Sequence, residues 1–218
     1  MGLELDRDTF DAAEYARFSD RLRESLDALE VVLSREGFGE GPPTIGAELE
    51  LNLVDAAGRA APINRAVLAE ARERRLTLEV DRFNLEINTD PVPLAGAAFG
   101  ALGDQLEQVL AGTAGAAALH GARVALIGIL PTLSEDELQS GSLTEGHRYR
   151  ALSHGIRRLR RACFPIRIEG EDSLVVAGDD VTFEGANTSL QLHLRVSPRD
   201  FARAHDAAQI ATAPALAA

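Results

Sequence analysis

The segment from Thr44 to Asp55 alternates without a break: Leu49, Leu51 and Leu53 fall on one side, and Glu48, Glu50 and Asn52 on the other. Such alternation predicts a half-buried strand. Two further segments repeat it. Asn84, Glu86 and Asn88 oppose Leu85 and Ile87; Ser189, Gln191, His193 and Arg195 oppose Leu190, Leu192, Leu194 and Val196. Helical spacing governs other stretches. From Thr9 to about Ser34, Phe18, Leu22, Leu26, Leu29 and Leu33 recur every three or four positions, an amphipathic helix ended by the turn-rich run Gly37 to Pro43.

The rest of the chain reads as follows. A turn at Asp55 to Gly58 leads to a helix over Asn64 to Arg74. Strands follow over Thr77 to Val80 and Phe83 to Asn88, stopped by Pro91 and Pro93. A helix covers Leu94 to His120, with Gly112 a candidate break. A buried strand is expected over Ala122 to Ile129, then a helix over Leu143 to Ala162 and short strands over Phe164 to Ile168 and Leu174 to Val176. The strand Thr188 to Val196 precedes Ser197-Pro198-Arg199-Asp200, a helix-start signal. Elements mix without regular βα alternation, and several strands have two unlike faces. The prediction is α+β, with a mainly antiparallel sheet and flanking helices.

The last helix, Ala207 to Ala218, is almost wholly apolar and lacks a capping glycine. Nothing in the sequence is an obvious cover for it. The expectation is a single domain over residues 1–218 that is the N-terminal portion of a longer one, with association through this helix.

Composition narrows the function classes. The chain of 218 residues carries 22 basic and 34 acidic residues, a net charge of −12, which disfavours a nucleic-acid surface. The basic run Arg157, Arg158, Arg160 and Arg161 is short and suits a helix C-terminus. There is no lysine, so a Walker-type phosphate loop is excluded. No apolar run is long enough to span a bilayer. The first residues lack signal-peptide order, and Cys163 is the only cysteine; a cytoplasmic location fits best.

The three polar faces carry the candidate chemistry. Carboxylates two apart on a strand sit about 7 Å apart. Their repulsion at an effective dielectric near 20 is about 2 kcal/mol. Glu86 on an adjoining strand adds to it. In a sheltered cleft, cations would hold all three ionised. Hard divalent ions, magnesium first, prefer such oxygens and also bridge nucleotide phosphates. An imidazole from His193 can join, more readily with manganese. Arg195 suits a phosphate or a substrate carboxylate. A polar face on an antiparallel sheet is most often merely wet, and a lone histidine is most often structural or exposed. Glu, Asn, Gln and His, in place of the usual Thr, Lys and Arg, keep the metal-site reading open.

At these residues the chain resembles a family. I-G-A-E-L-E-L-N-L-V-D, F-N-L-E-I-N-T-D-P, G-I-L-P-T-L with R-Y-R-A-L downstream, and A-N-T-S-L-Q-L-H-L occur in the order seen in carboxylate–amine ligases typified by bacterial glutamate–cysteine ligase, distant relatives of glutamine synthetase. The resemblance implies a curved antiparallel sheet whose concave face holds the ligands. It implies use of ATP and Mg2+ to phosphorylate the glutamate side-chain carboxylate, with attack by an amine, that of cysteine in glutathione biosynthesis. It matches Glu48, Glu50 and Glu86 to the family's metal-binding acids and His193 to a metal- or nucleotide-proximal histidine, with Gln191 beside it; joined to the strand-face reading, this makes Glu48, Glu50, Glu86 and His193 the expected metal ligands and Gln191 and Arg195 the expected nucleotide or substrate contacts. Members are longer than this chain, so a truncated relative that binds nucleotide or a partner chain without catalysis is the alternative.

Smaller signals have structural readings. Arg148 and Tyr149 are expected to pack a helix on the sheet. Glu79 and Asp81 are expected at the surface or in a turn, and Cys163 as a buried apolar residue. Glu184 lies near the third strand and could approach the site. His154-Gly155 is a candidate helix irregularity. His120, His147, His154 and His205 show no ligand spacing.

Overall fold

The computed structural model describes residues 5–160, 162–178 and 180–217, without the side chains of Ser140 and Phe164. Arg161 of the basic run and the terminal Ala218 lie outside the described residues. The chain divides into two compact units. One comprises Met1–Thr9, Ala47–Asp90 and Leu102–Gln191; the other comprises Phe10–Gly46, Pro91–Ala101 and Leu192–Ala218.

The first unit is built on β1 (Thr44–Val54), which continues from the second unit. β3 (Asn84–Asn88) pairs antiparallel with β1, and β2 (Leu76–Leu78) pairs antiparallel with β3. Alternation puts Leu51, Leu53, Leu85 and Ile87 on one face, where all four are buried. Val67 of α2 (Asn64–Ala71) and Val109, Ala116 and Ala117 of α3 (Ala98–Leu119) complete that core. Each fully buried aliphatic side chain contributes about 1.5–3 kcal/mol of transfer free energy. α2 is shorter than expected because Arg72 turns into the left-handed region at φ 49°. α3 runs unbroken through Gly112.

The buried strand expected over Ala122 to Ile129 needs correction: β5 covers only Arg123–Ala125, and Leu126, Ile127 and Ile129 are exposed. β5 pairs with β1 only at Asn52 to Val54. At Glu50 the β1 backbone N–H instead donates to the Ser189 carbonyl, 3.0 Å away. That edge is taken, so the chain after Ala125 leaves the sheet. Gly128 and Ile127 there accept from the Thr188 N–H and hydroxyl.

α4 (His147–Arg160) starts later than expected, because Leu143 bridges Asp81 and Thr144 bonds Val80. It passes through His154-Gly155 without a break. Tyr149 is buried and donates to the Leu78 carbonyl at 3.1 Å, tying α4 to β2, while Arg148 lies 5.6 Å from its ring centre. β6 (Phe164–Glu169) and β7 (Ser173–Gly178) form a separate hairpin. Cys163, expected to be buried, is exposed; it sits between the end of α4 and β6.

The second unit contains α1 (Ala12–Leu33), the start of β1 paired with β4 (Val92–Pro93), and α6 (Phe201–Ala217). It also holds residues 192–195 of β8 (Leu190–Arg195). Asp11 caps α1 reciprocally with Glu14. The predicted apolar stripe of α1 is exposed: Phe18, Leu22, Leu26, Leu29 and Leu33 all are. Ser197 and Asp200 form the expected cap, but the helix proper starts at Phe201 and has no buried residue. Leu190, Leu192 and Leu194, the expected apolar reverse of β8, are exposed as well.

Candidate functional site

The β1–β3 register places Glu48 opposite Asn88, Glu50 opposite Glu86 and Asn52 opposite Asn84. Directly opposed residues share a face, with Cα atoms about 4.5–5.5 Å apart. Glu50 and Glu86, distant in sequence, thus become immediate neighbours. Glu86 accepts from Asn88 Nδ2 at 2.6 Å and from the Thr77 hydroxyl at 3.3 Å. Glu50 Oε2 accepts from the Ser189 N–H at 2.8 Å and its hydroxyl at 3.3 Å. These bonds aim both carboxylates along the sheet face. Asn52 and Asn84 are buried, and their side chains bond each other at 3.0 Å, so they lock the two strands together.

Beside this pair is a cavity of about 230 Å³ whose lining includes Glu50, Glu79, Asn84, Glu184, Ser189 and Gln191. Partial burial pushes the Glu50 carboxyl above its ordinary value, aided by Glu86 and Glu184 and opposed by the Ser189 bonds. Burial, with Glu86 and Glu50 adding repulsion, lifts Glu79 to about 7. Crowding of carboxylates that raises their proton affinity also raises their affinity for other cations. Asn84 is among the lining residues, and its Oδ1 is buried with no hydrogen-bond partner. Hard oxygens, excess negative charge and an orphaned carbonyl oxygen fit a divalent ion. Among the described residues, however, no group of three or more His, Cys, Asp or Glu side chains stands in a ligand arrangement.

The sequence-predicted residues divide between the units. Glu50 and Glu86 come together, Gln191 lines the cavity with Glu50, and Glu48 shares their face opposite Asn88. His193 and Arg195 belong to the second unit, where both are exposed. There Arg195 donates to the Glu40 carbonyl and lies against Gly41.

The surface or turn role expected for Glu79 and Asp81 needs correction. Glu79 lines the cavity, and Asp81 is fully buried with neither carboxylate oxygen hydrogen-bonded. Their signal was present: Leu76-Thr77-Leu78-Glu79-Val80-Asp81 alternates, putting Thr77, Glu79 and Asp81 on one polar face. Glu184 sits on α5, the single turn Thr182–Gly185, and no periodicity announces it.

An α+β domain whose antiparallel sheet presents paired carboxylates on its polar face has the fold class of the glutamine-synthetase-like carboxylate–amine ligases. The chain belongs to glutamate-cysteine ligase family 2 (GCS2), whose model matches residues 44–163. That match contains β1, β3 and both members of the Glu50–Glu86 pair. No curated protein and no solved structure matches the chain. No helix among the described residues is long and apolar enough to cross a membrane.

Proposed function

We propose that the chain is the metal- and nucleotide-binding part of an ATP-dependent ligase that joins the glutamate side-chain carboxylate to an amine, cysteine's first among them. The observation that carries the reading is the direct opposition of Glu50 and Glu86 beside a cavity that Glu79 and Glu184 also line. Glu48, Glu50 and Glu86 would hold magnesium. Bound there, the ion would neutralise the triphosphate and the charge developing during phosphoryl transfer. In the reaction the substrate carboxylate oxygen forms a bond to the terminal phosphorus and ADP leaves. The amine nitrogen then bonds the acyl carbon, phosphate leaves, and the amine loses a proton. Gln191, on the cavity wall, would contact nucleotide or substrate; Arg195 would meet an anionic group.

Magnesium with ATP should raise Tm, by about 2.7 kcal/mol of added stability at one hundred times Kd. Glu50→Gln should abolish that shift while preserving the fold, since Gln retains an acceptor for Ser189. An unchanged affinity in the variant would remove the basis for the site. Release of phosphate in the presence of glutamate and an amine tests the reaction itself.

A second reading is a relative that binds nucleotide or a partner chain without ligation. The exposed apolar residues of α1 and α6 favour it, because such surfaces commonly mark association sites. ATP binding without phosphate release under any acid and amine pair would select it.

A further inference from the structure

α1 runs for 22 residues and none of them is buried. Every residue from Ala16 to Val31 is exposed. Helices left alone in water are marginal, and packing of an amphipathic face supplies most of their stability in proteins. The apolar face of α1 has the spacing of a coiled-coil seam. Leu22, Leu26, Leu29 and Leu33 follow steps of four, three and four, the d-a-d-a order of a heptad. All four are exposed. On that lettering Phe18, Ser25 and Val32 stand at g, and Ala16, Arg23 and Glu30 at e. One flank of the seam is uncharged and the other carries both signs.

The flanks select the occupant and its direction. In a parallel pair of such helices g faces e, so Phe18 would meet the partner's Arg23 and Ser25 the partner's Glu30, and no ion pair forms. In an antiparallel pair a opposes d, e faces e and g faces g. Leu26 then meets the partner's Leu29, Leu22 meets the partner's Leu33, and Arg23 meets the partner's Glu30. Two-fold symmetry makes each contact twice. Arg23 uses Nη1 on Asp20 of its own helix, and a guanidinium has five N–H donors, so it can serve both carboxylates.

The halves of the helix are complementary in the same sense. Arg17, Arg21 and Arg23 outnumber Glu14 and Asp20 in the first half, whereas the second carries Glu24, Asp27 and Glu30 and no base. Glu30 also stands in the last turn, where an acid opposes the helix dipole and α1 has no basic residue. An antiparallel copy brings Arg23 to that position. We propose that α1 is a self-association surface that pairs antiparallel with α1 of a second copy of this chain. The seam holds four leucines, so the pair is reversible and separates on dilution. The proposal does not rest on the ligase reading.

Sedimentation equilibrium of the full chain, from low micromolar to millimolar concentration, tests it. The mass should rise from monomer toward dimer. Leu26→Gln should stay monomeric across the range. Arg23→Glu and Glu30→Arg should each weaken pairing at least about tenfold, because each sets like charges opposite one another twice. Glu30→Arg improves the match of the last turn to the dipole, so its loss of pairing is not that of a weaker helix. An equimolar mixture of the two single variants should recover the pairing of the parent, since every e contact in the mixed pair joins opposite charges. The proposal is overturned by a chain still monomeric at millimolar concentration, which would leave the stripe to a segment of different sequence. It is equally overturned by pairing unchanged in Leu26→Gln or in both charge variants, or by a mixture that pairs no better than its components.

Discussion

Replacing Asp81 by Asn isolates a buried carboxyl that no hydrogen bond satisfies. Asp81 is fully buried, and both its oxygens lack partners. It packs so tightly under Gly185 that a Cβ there would stand 2.5 Å from Asp81 Oδ2. Burial, with repulsion from Asp180 and Glu79, lifts its pKa from 3.8 to about 8. In the unfolded chain the group ionises near its ordinary value. Between the two values the native state therefore holds a proton that the unfolded state has lost, and stability falls as pH rises through that window. The stabilising contribution is complete below about pH 4 and gone above about pH 8. Relative to acid, the loss is about 4 kcal/mol at pH 7 and about 6 kcal/mol at pH 8 and above. Asn has the same shape and no charge to lose. The Asp81→Asn variant should match the parent within about 1 kcal/mol at pH 4.5 and exceed it by several kcal/mol at pH 8.5 in urea unfolding. A shallower pH slope should persist in the variant, because Glu79, raised to about 7, titrates with the same sign. Parallel stability–pH curves for the two proteins would refute the assignment of a proton to buried Asp81.

Gly185→Ala should destabilise by about 1–3 kcal/mol, because its Cβ meets the Asp81 carboxyl and Cβ and the backbone must shift; urea unfolding reads the loss. Tyr149→Phe removes the bond to the Leu78 carbonyl and should cost about 1 kcal/mol in the same assay. Leu26→Gln on the exposed stripe of α1 should change Tm of the dilute chain little, within about 0.5 kcal/mol; a larger loss would mean that something covers the stripe. Glu50→Gln without metal should raise Tm modestly, since it relieves repulsion from Glu86 and Glu184; a fall would show that the Ser189 bonds outweigh the repulsion.

The strands were legible because period-two alternation and burial are one constraint written twice. Leu51, Leu53, Leu85 and Ile87 could face the core only if Glu50 and Glu86 faced away from it. What alternation does not contain is register and edge occupancy. Whether Glu50 met Glu86 or Asn88 depended on how β1 and β3 slid. Whether residues 126–129 stayed in the sheet depended on Ser189 reaching the Glu50 backbone first. Leu126, Ile127 and Ile129 read as strand core by composition, yet no ladder position remained for them.

The site shows the same division. Its sheet carboxylates follow from a local pattern, and Glu79 was reachable by carrying that pattern one residue beyond β2. Glu184 follows from nothing local. It lines the cavity because Thr182 anchors α5 to the Leu138 carbonyl and because Gly185 lets the turn close on Asp81. A glycine next to an acid, ahead of a polar-faced strand, marks where backbone must approach a buried group closely. Here that group is itself an acid, so the turn that presents Glu184 rests on a carboxyl whose protonated form burial favours. The electrostatics of the acidic cavity and the packing behind it are consequently coupled: charging Asp81 would push on the segment from Thr182 to Ser189, whose backbone and hydroxyl hold Glu50 in place.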